Sequence, residues 1–472
     1  NRALFHPTAP RGPVDARAFV ALAYEGVSER TNEISPARFD AQLRVLREHG
    51  YTPIGLEEVR AFYQEGRPLP RKAVLTTFEQ SRKSSYFDTR RILRANRWKA
   101  VMFLWTRPIE DEDPSVLRWP YIRDMILSRT WEVGGQGHDA FRQVPADPTG
   151  RMGNFMSTPM WKREEERYET PEEFGRRIEA DVKRNYDEIV RQTGVRPLAY
   201  AFPYGDFGQY ESRAVLTRRL NLDIIAKYYP LGFISGPMAL NTAFSDPRRL
   251  NRLLVDPRWS AEELLQRLER AWPVRREFRD FTNTLETAWI REWGVAEPRG
   301  NHLDLRAAPN TTGAKIWLSG SDLLQNVRTR VRFRLHEGQF SLFLRAQPDG
   351  ESHLHIGLEP GGLAWIRQKM PGLEAFTLAS AQFQASTNEI WTLEVTVRDR
   401  LVFVRLNDRL LTESAVRVRG DPAPGMLGVS VWSPRLSAAR AQIWNVTVNN
   451  DIEQSVKWRP ALNRGPYLAW WI

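Results

Sequence analysis

The sequence of 472 residues contains no cysteine, which excludes disulfide bonds and thiolate chemistry. Long apolar runs are also missing: none approaches the roughly 20 residues of a membrane-spanning helix, so we predict no transmembrane segment. Runs of basic residues are missing too, although 68 Lys and Arg against 57 Asp and Glu give a net charge of +11. The basic residues are mixed with acidic ones, as on solvated helix faces, and we predict no nucleic-acid partner. A basic surface of this kind still attracts an acidic glycan or an anionic envelope.

The chain is long enough for two hydrophobic cores, because 472 residues exceed the size at which a single core stops growing. Tryptophan is abundant, with 17 residues. We expect most of them to pack in cores or between domains and a few to form sugar platforms, since an indole face matches the apolar face of a pyranose. The chain opens at Asn1 rather than at a methionine, and we expect that a signal or anchor has been removed.

The first half of the chain alternates strand-like and helix-like segments. The run 18–24 is continuously apolar, which is typical of a buried parallel strand. Further strands are predicted over 72–78, 99–105, 131–134, 198–202, 222–227 and 250–255. Helices are predicted between Ser35 and Gly50, over 54–65 and 84–96, between Thr170 and Gly194, over 210–220 and between Ser260 and Trp272. This alternation predicts a parallel barrel or sheet, in which functional residues gather at the carboxyl ends of the strands.

The pattern changes near Pro273, after which short strands and turn signals replace helices as far as Val448. Many short strands at this spacing predict an all-β sandwich. The segments 391–395, 402–407 and 443–448 resemble concanavalin-like jelly rolls, which include sugar-binding modules. We therefore predict a multidomain chain of the α/β plus all-β class. Its parts are an N-terminal extension over 1–16, a (β/α) barrel over 17–273, a β-sandwich (jelly roll) over 274–450 and a C-terminal tail over 451–472.

Four segments at the ends of predicted strands carry a family resemblance. They are 19–27 (Phe-Val-Ala-Leu-Ala-Tyr-Glu-Gly-Val), 74–81 (Val-Leu-Thr-Thr-Phe-Glu-Gln-Ser), 131–141 (Trp-Glu-Val-Gly-Gly-Gln-Gly-His-Asp-Ala-Phe) and 202–205 (Phe-Pro-Tyr-Gly). These segments resemble the polysaccharide deacetylase family, and in particular its poly-N-acetylglucosamine deacetylases. The resemblance covers roughly residues 17–273 and implies a deacetylase-like (β/α) barrel.

In that family a divalent metal, held by one aspartate and two histidines, polarises the acetamide of the substrate and the attacking water. The resemblance places Glu79 on the general base and Gln80 on the metal-binding aspartate. It places Gln136 on the first ligand histidine, and Ala140 or Phe141 on the second. Neutral amides are poor ligands for zinc, so we expect neither a metal nor another cofactor.

Two of the replaced positions still carry side chains that can act as an acid or a base. The resemblance places Glu25 on the general-acid histidine of the family, so Glu25 and Glu79 are the candidate catalytic residues. Paired carboxylates cleave glycosidic bonds in many enzymes, whereas after loss of the metal they could equally hydrogen-bond sugar hydroxyls. The candidate substrate-binding residues are Gln80, Gln136, His138, Asp139, Tyr204 and Asp206. A lone histidine such as His138 is more often a hydrogen-bonded pocket residue than a metal ligand.

Three hypotheses about function follow. The first is a metal-free, deacetylase-like glycan-binding protein that acts in the modification, export or retention of a bacterial exopolysaccharide. The second is a polysaccharide N-deacetylase with altered or residual activity, and the third is a metal-independent glycoside hydrolase that uses Glu25 and Glu79. We expect a polysaccharide as the partner, polysaccharide-secretion proteins as further partners, and export to the periplasm or the cell envelope.

Overall fold

The computed structural model describes residues 16–30, 32–208, 215–272, 275–279, 281–324, 326–347, 350, 352–384, 389–412, 414–420 and 425–449. The predicted N-terminal extension, apart from Ala16, and the predicted tail lie outside the described residues. Within this part of the chain, no helix combines the length and the apolar character that crossing a membrane requires.

The first domain is built around a closed barrel. Its strands are β1 (Ala18–Tyr24), β2 (Thr52–Ile54), β3 (Ala73–Phe78), β4 (Ala100–Leu104), β5 (Trp131–Gly135), β6 (Gln143–Pro145), β7 (Met152–Asn154), β8 (Trp161–Lys162), β9 (Arg167–Tyr168), β10 (Ala199–Ala201), β11 (Leu231–Gly236), β12 (Leu240–Thr242) and β13 (Leu250–Leu254). The parallel order is β1, β13, β11, β10, β5, β4 and β3, and β3 pairs again with β1 to close the ring. This closed parallel ring confirms the predicted barrel.

Helices surround this barrel. They are α1 (Pro36–Glu48), α2 (Leu56–Glu65), α3 (Lys83–Asn96), α4 (Thr106–Glu110), α5 (Trp119–Leu127), α6 (Pro171–Thr193), α7 (Val215–Tyr228) and α8 (Ala261–Ala271). Capping signals fix where several of them begin. The hydroxyls of Ser35, Thr170 and Ser260 accept hydrogen bonds from backbone N–H groups of the first turn, which would otherwise have no partner.

One predicted strand was wrong. Residues 222–227 lie inside α7, and the strand that follows is β11, which begins at Leu231. Leu222, Ile225 and Tyr229 are all buried, at the spacing of one helix face. The run of Leu and Ile residues that resembles a strand is therefore the inward stripe of a helix.

The second domain is a β-sandwich, as predicted. Its elements are β14 (Arg275–Phe278), α9 (Phe281–Ala288), β15 (Trp289–Trp293), β16 (Val295–Arg299), β17 (His302–Arg306), β18 (Gly313–Leu318), β19 (Val327–Glu337), β20 (Gln339–Ala346), β21 (His353–Leu358), β22 (Leu363–Lys369), β23 (Phe376–Gln382), β24 (Trp391–Arg398), β25 (Leu401–Leu406), β26 (Arg409–Leu410), β27 (Val416–Arg417), β28 (Met426–Trp432) and β29 (Arg440–Asn449).

Two antiparallel sheets form this sandwich. The nine-stranded sheet runs β16, β17, β29, β19, β24, β25 and β26, with β14 and β27 paired alongside. The seven-stranded sheet runs β15, β18, β28, β20, β21, β22 and β23. Alternate residues of both sheets, such as Val331, Leu393 and Leu342, meet in one buried apolar core. The intervening residues of β19 are exposed or partly exposed, as the two-residue period of a strand predicts. On the seven-stranded sheet some of the intervening residues, including Trp317 and Phe343, form a second, smaller buried cluster.

The sandwich contacts the barrel through the turn Ser321–Leu323, which precedes β19. Leu323 is buried in the apolar cluster of the barrel, and Asp322 lies beside Thr242. Burial raises the pKa of the Asp322 carboxyl, and Thr242 lowers it. Thr242 pairs with Ala18, the first residue of β1. This contact therefore lies at the amino ends of the barrel strands, whereas the candidate residues follow the carboxyl ends.

Candidate functional site

The candidate residues follow four strands whose carboxyl ends lie at one edge of the barrel. Glu25 follows β1, Glu79 follows β3 and Gln136 follows β5, while Tyr204 belongs to a short turn after β10. Because all four strands are parallel members of one closed ring, their carboxyl ends face the same side. The sequence motifs are thus brought to one barrel mouth.

Glu79 is buried and held by an arginine. Its Oε1 accepts a hydrogen bond of 2.6 Å from Nη2 of Arg252, which lies on β13 and is fully buried. Nη1 of Arg252 donates to the hydroxyl of Thr77 at 3.0 Å, and this hydroxyl donates to the carbonyl of Leu22 at 2.7 Å. The guanidinium also lies 4.9 Å from the ring centre of Phe103. Burial lowers the pKa of Arg252, and the carboxylate of Glu79 opposes that shift.

The two glutamines at the metal-ligand positions are engaged with each other. Oε1 of Gln136 accepts a hydrogen bond of 2.8 Å from the backbone N–H of Gln80, and Gln136 is fully buried. Gln80 has a φ of 60°, in the left-handed region that costs energy for a residue with a Cβ. The side-chain oxygen of Gln80 accepts from Nη2 of Arg82 at 3.0 Å. Arg82 also donates to Glu33 at 3.0 Å, so its guanidinium joins two polar groups of the mouth.

His138 is buried and positioned by neighbouring polar groups. Its Nδ1 lies 3.1 Å from the hydroxyl of Thr106, and its backbone N–H donates to Asp181 at 3.0 Å. The other oxygen of Asp181 accepts from the backbone N–H of Asp139 at 2.6 Å. Burial lowers the pKa of His138 and raises that of Asp181 to about 6. Nε2 of His138 is buried without a hydrogen-bond partner among the described residues, and it lies 3.9 Å from a carboxylate oxygen of Glu110.

Three aromatic side chains, Trp105, Phe141 and Tyr204, contact one another and form what we call the aromatic wall. The ring centres of Trp105 and Phe141 are 4.7 Å apart, and those of Phe141 and Tyr204 are 5.2 Å apart. The hydroxyl of Tyr204 donates to the carbonyl of Phe141 at 2.8 Å, while its side chain stays 51% exposed. Tyr204 has a φ of 58°, in the left-handed region that is strained for a residue with a Cβ. The aromatic wall is thus a fixed apolar surface with one face open.

The two remaining candidate residues with carboxylates on this side of the mouth are Asp206 and Asp139. Asp206 is buried and accepts hydrogen bonds from Asn154, Ser157 and the backbone N–H of Gly208, at 2.6 to 2.9 Å. These bonds tie the turn after β10 to the 152–157 segment, so Asp206 orders the loop that carries Tyr204. Asp139 is partly exposed, and one of its carboxylate oxygens lies 3.6 Å from Arg142.

Glu25 lies in a different environment from Glu79. It is exposed and lines a cleft of about 690 Å³ with Glu29, Arg30, Asn32, Glu33 and Arg82. Glu79 is outside this lining and buried against Arg252. The barrel therefore does not present the two carboxylates as an equivalent pair.

The residues present do not fit the divalent metal that the resemblance implies. The amides of Gln80 and Gln136 replace two ligands, and Gln136 already accepts a backbone N–H. Ala140 and Phe141, at the third position, are buried apolar residues. Over the described residues, no three His, Cys, Asp or Glu side chains converge as a metal site requires.

Sequence reasoning missed the residues that hold this site together. Arg252 is the one charged residue of the mainly apolar strand β13, and a charge there indicates a buried partner without identifying it. Arg82 and Asp181 sit in mixed polar segments and carry no local signal. Their partners are 42 to 175 residues away along the chain, except for Gln80, and only the fold of the barrel brings them together.

Comparison with known proteins shows which family the barrel domain resembles. Residues 66–222 match the family model of the polysaccharide deacetylases. The poly-beta-1,6-N-acetyl-D-glucosamine N-deacetylase of Escherichia coli (strain K12) is 27% identical over 212 residues, which cover 41% of this chain and 32% of that protein. The chain thus spans about a third of the length of the curated relatives it matches.

Solved structures resemble each half of the chain. A de-N-acetylase from Aggregatibacter actinomycetemcomitans is 21% identical, with a TM-score of 0.47, and the match covers 53% of this chain and 99% of that one. The carbohydrate binding module CBM66 from Bacillus subtilis is 18% identical, with a TM-score of 0.30, and the match covers 34% of this chain and 96% of that one. The part of the chain that matches the polysaccharide deacetylase model thus lies within the closed parallel barrel, and a β-sandwich follows it.

Proposed function

We propose that this chain is a metal-free, deacetylase-like glycan-binding protein that acts in the modification, export or retention of a bacterial exopolysaccharide. The observation that carries the proposal is the hydrogen bond between Gln136 and the backbone N–H of Gln80. This bond supports the proposal because it engages a neutral amide at the position that the resemblance assigns to a metal ligand. The related Escherichia coli protein acts on poly-β-1,6-N-acetyl-D-glucosamine, and we propose a polysaccharide of this class as the ligand.

The chemistry that remains at the mouth favours binding over hydrolysis. Hydrolysis of an acetamide needs an activated water and a stabilised oxyanion, which the metal supplies in this family. Here the base position, Glu79, is fixed inside the barrel by Arg252. Without a positive centre on the substrate side, a carboxylate alone gives little acceleration.

The aromatic wall is the surface on which we place the sugar. The open face of Tyr204 offers an apolar plane for a pyranose ring, backed by Phe141 and Trp105. The carboxylate of Asp139 is partly exposed and can accept hydrogen bonds from hydroxyl or acetamido groups of a bound sugar. A shallow, polar site of this kind binds with modest affinity, because ordering costs consume much of the contact energy.

The test uses the full chain and poly-β-1,6-N-acetyl-D-glucosamine oligomers. Affinity electrophoresis measures binding, acetate release measures deacetylation, and new reducing ends measure cleavage of the chain. Elemental analysis after dialysis, with zinc, cobalt and nickel offered beforehand, measures metal. We expect retention of the polymer without acetate, without new reducing ends and without one equivalent of metal at the barrel mouth.

Other outcomes overturn the proposal in distinct ways. One tightly held metal equivalent that is lost in His138→Ala or Asp139→Ala, together with acetate release, identifies a deacetylase with altered activity. New reducing ends that vanish in both Glu25→Gln and Glu79→Gln identify a glycoside hydrolase. If the polymer is neither bound nor changed, the chain is better described as a protein-interaction component of polysaccharide secretion. Export to the periplasm or the envelope belongs to the same proposal.

A further inference from the structure

The outer face of the nine-stranded sheet carries an arginine ladder along its central strand. In β19 the residues Arg328, Arg330, Arg332 and Arg334 alternate with buried Val327, Val331 and Phe333. Alternation with a two-residue period puts all four guanidinium groups on the solvent side. Successive arginines are therefore about 7 Å apart in one row.

Two of the four arginines pair with carboxylates of the protein, and in the part of the chain that the structure describes the other two do not. Arg328 donates to both oxygens of Glu394 at 2.8 and 2.9 Å, and Arg330 lies 3.4 Å from Glu394 and 2.9 Å from Asp408. Arg332 and Arg334 have no carboxylate within 4.0 Å among the described residues. Two neighbouring positive charges thus remain without a counter-ion of the protein at the centre of this face.

The surroundings of Arg332 and Arg334 are polar and flat. Arg332 is flanked in register by Thr392 on β24 and Asn445 on β29. Arg334 is flanked by Gln442, and its guanidinium lies 5.3 Å from the ring centre of Trp444. Nε of Arg334 is buried without a partner among the described residues, so its donor capacity is only partly used.

Carboxylates nearby do not cancel this charge. Asp304 on β17 is almost fully buried and already faces Arg306 and Arg440 at 2.9 to 3.2 Å. Glu394 is likewise taken by Arg328 and Arg330. Mobile anions from solvent, or a bound anionic ligand, must therefore balance the central pair.

We propose that this face of the nine-stranded sheet, centred on Arg332 and Arg334, binds the carboxylate groups of an acidic polysaccharide. Arginine binds carboxylates through two parallel N–H bonds, and a row of such groups matches a polymer with regularly spaced acids. Threonine hydroxyls and side-chain amides beside the arginines suit sugar hydroxyls. The inference rests on the proposed function, since a polysaccharide deacetylase domain in the same chain is what favours a glycan over other polyanions.

The experiment uses the full chain with polygalacturonate and, as the matched neutral polymer, its fully methylated ester. Arg332→Gln with Arg334→Gln removes the central pair. Arg291→Gln with Arg367→Gln removes the same net charge from the seven-stranded sheet and serves as the control. Arg332→Lys with Arg334→Lys keeps the charge but removes the planar guanidinium, which can donate two parallel N–H bonds to one carboxylate.

We expect wild type to bind polygalacturonate and not its ester, with an affinity that falls as salt rises. The central double Gln variant should bind at least about tenfold more weakly, and the control variant within about twofold of wild type. The double Lys variant should lie between them. Thermal unfolding of every variant is measured alongside, because the guanidinium groups of Arg334 and Arg367 pack on Trp444 and Trp365, and affinities are compared between variants that are folded at the assay temperature.

Equal loss in both Gln variants, or binding of the ester as strongly as of the acid, would overturn the proposal. Tighter, Arg332-dependent binding of single-stranded DNA or of phosphatidylserine vesicles would assign the face to another partner. Binding of poly-β-1,6-N-acetyl-D-glucosamine tests the barrel separately. If the chain binds poly-β-1,6-N-acetyl-D-glucosamine but not polygalacturonate, only the proposal for the sheet is wrong. If it binds polygalacturonate but not poly-β-1,6-N-acetyl-D-glucosamine, only the proposal for the barrel is wrong.

Discussion

Nη2 of Arg252 and Oε1 of Glu79 are 2.6 Å apart inside the barrel, and both side chains are buried. The contact joins β13 to the end of β3, across β1. A charge pair of this kind is costly to form and more costly to break, because removing one partner leaves the other charge buried alone. Glu79 therefore balances the buried charge of Arg252, whatever its chemistry.

Replacing Arg252 with methionine should destabilise the barrel by about 3–5 kcal/mol, since it strands the carboxylate of Glu79. The double variant Glu79→Gln with Arg252→Met should recover most of this loss. Chemical denaturation of all three proteins measures the free energies of unfolding. A double variant as unstable as Arg252→Met alone would mean that packing of the arginine against Phe103, rather than its charge, sets the cost.

Metal affinity should be recoverable at the barrel mouth. The restoring set is Glu25→His, Glu79→Asp, Gln80→Asp, Gln136→His and either Ala140→His or Phe141→His. Ligands on a rigid barrel need little reorganisation to bind zinc. Arg82 lies 3.0 Å from the side-chain oxygen of Gln80, so its charge opposes a dication there.

We therefore expect zinc to bind the restored protein, and at least about tenfold more tightly after adding Arg82→Ala. Titration calorimetry on folded protein measures both affinities. The control carries every change except Gln136→His and should bind poorly, because one ligand is missing. If no folded version takes up zinc, the loops of the mouth differ from those of the family as well as the ligands.

Tyr204 should carry much of the affinity for neutral polymer. Tyr204→Ala removes the open ring face and should weaken binding of poly-β-1,6-N-acetyl-D-glucosamine by about 1 kcal/mol, or roughly fivefold. Tyr204→Phe keeps the ring and loses only the bond to the carbonyl of Phe141, so its affinity should stay within about twofold. Tyr121→Ala, an exposed tyrosine on α5, is the control. Equal binding by all four proteins would place the sugar elsewhere.

Local patterns predicted most of the barrel. Some of its elements are determined by contacts within a few residues: β1 by its apolar run, and the starts of α6 and α8 by the capping residues Thr170 and Ser260. The strand predicted over 222–227 failed because Leu222 and Ile225 also satisfy a helix period, and local pattern does not choose between the two. The deacetylase motifs located the mouth because each follows a strand of one ring.

Long-range pairs could not be predicted in this way. Glu79 and Arg252 meet only because β1 pairs with both β3 and β13, a closure that neither segment encodes alone. The bond from Gln80 to Gln136 likewise joins two loops that are 56 residues apart. The arginine ladder of β19 is different, since its alternation is visible in the sequence, but the lack of carboxylates beside Arg332 depends on strand order.

Asp322 links the stability of the chain to pH. It is buried where the sandwich meets the barrel, and burial raises its pKa from 3.8 to about 6, although Thr242 and the charge of Arg17 oppose the shift. Between these two values the folded chain holds a proton that the unfolded chain has released. Stability from this group is therefore full below pH 4 and is lost as the pH rises through 6.

Asp322→Asn keeps a polar side chain beside Thr242 and removes the titration. It should leave stability unchanged near pH 4 and raise it by up to about 3 kcal/mol at pH 7.5, from a pKa difference of about 2. Thermal unfolding from pH 4 to 8 compares the two proteins. Tyr63 also faces Asp322, but burial raises its pKa well above this range, so it does not titrate there. A constant difference at all pH values would show that Asp322 stays charged, or stays neutral, throughout.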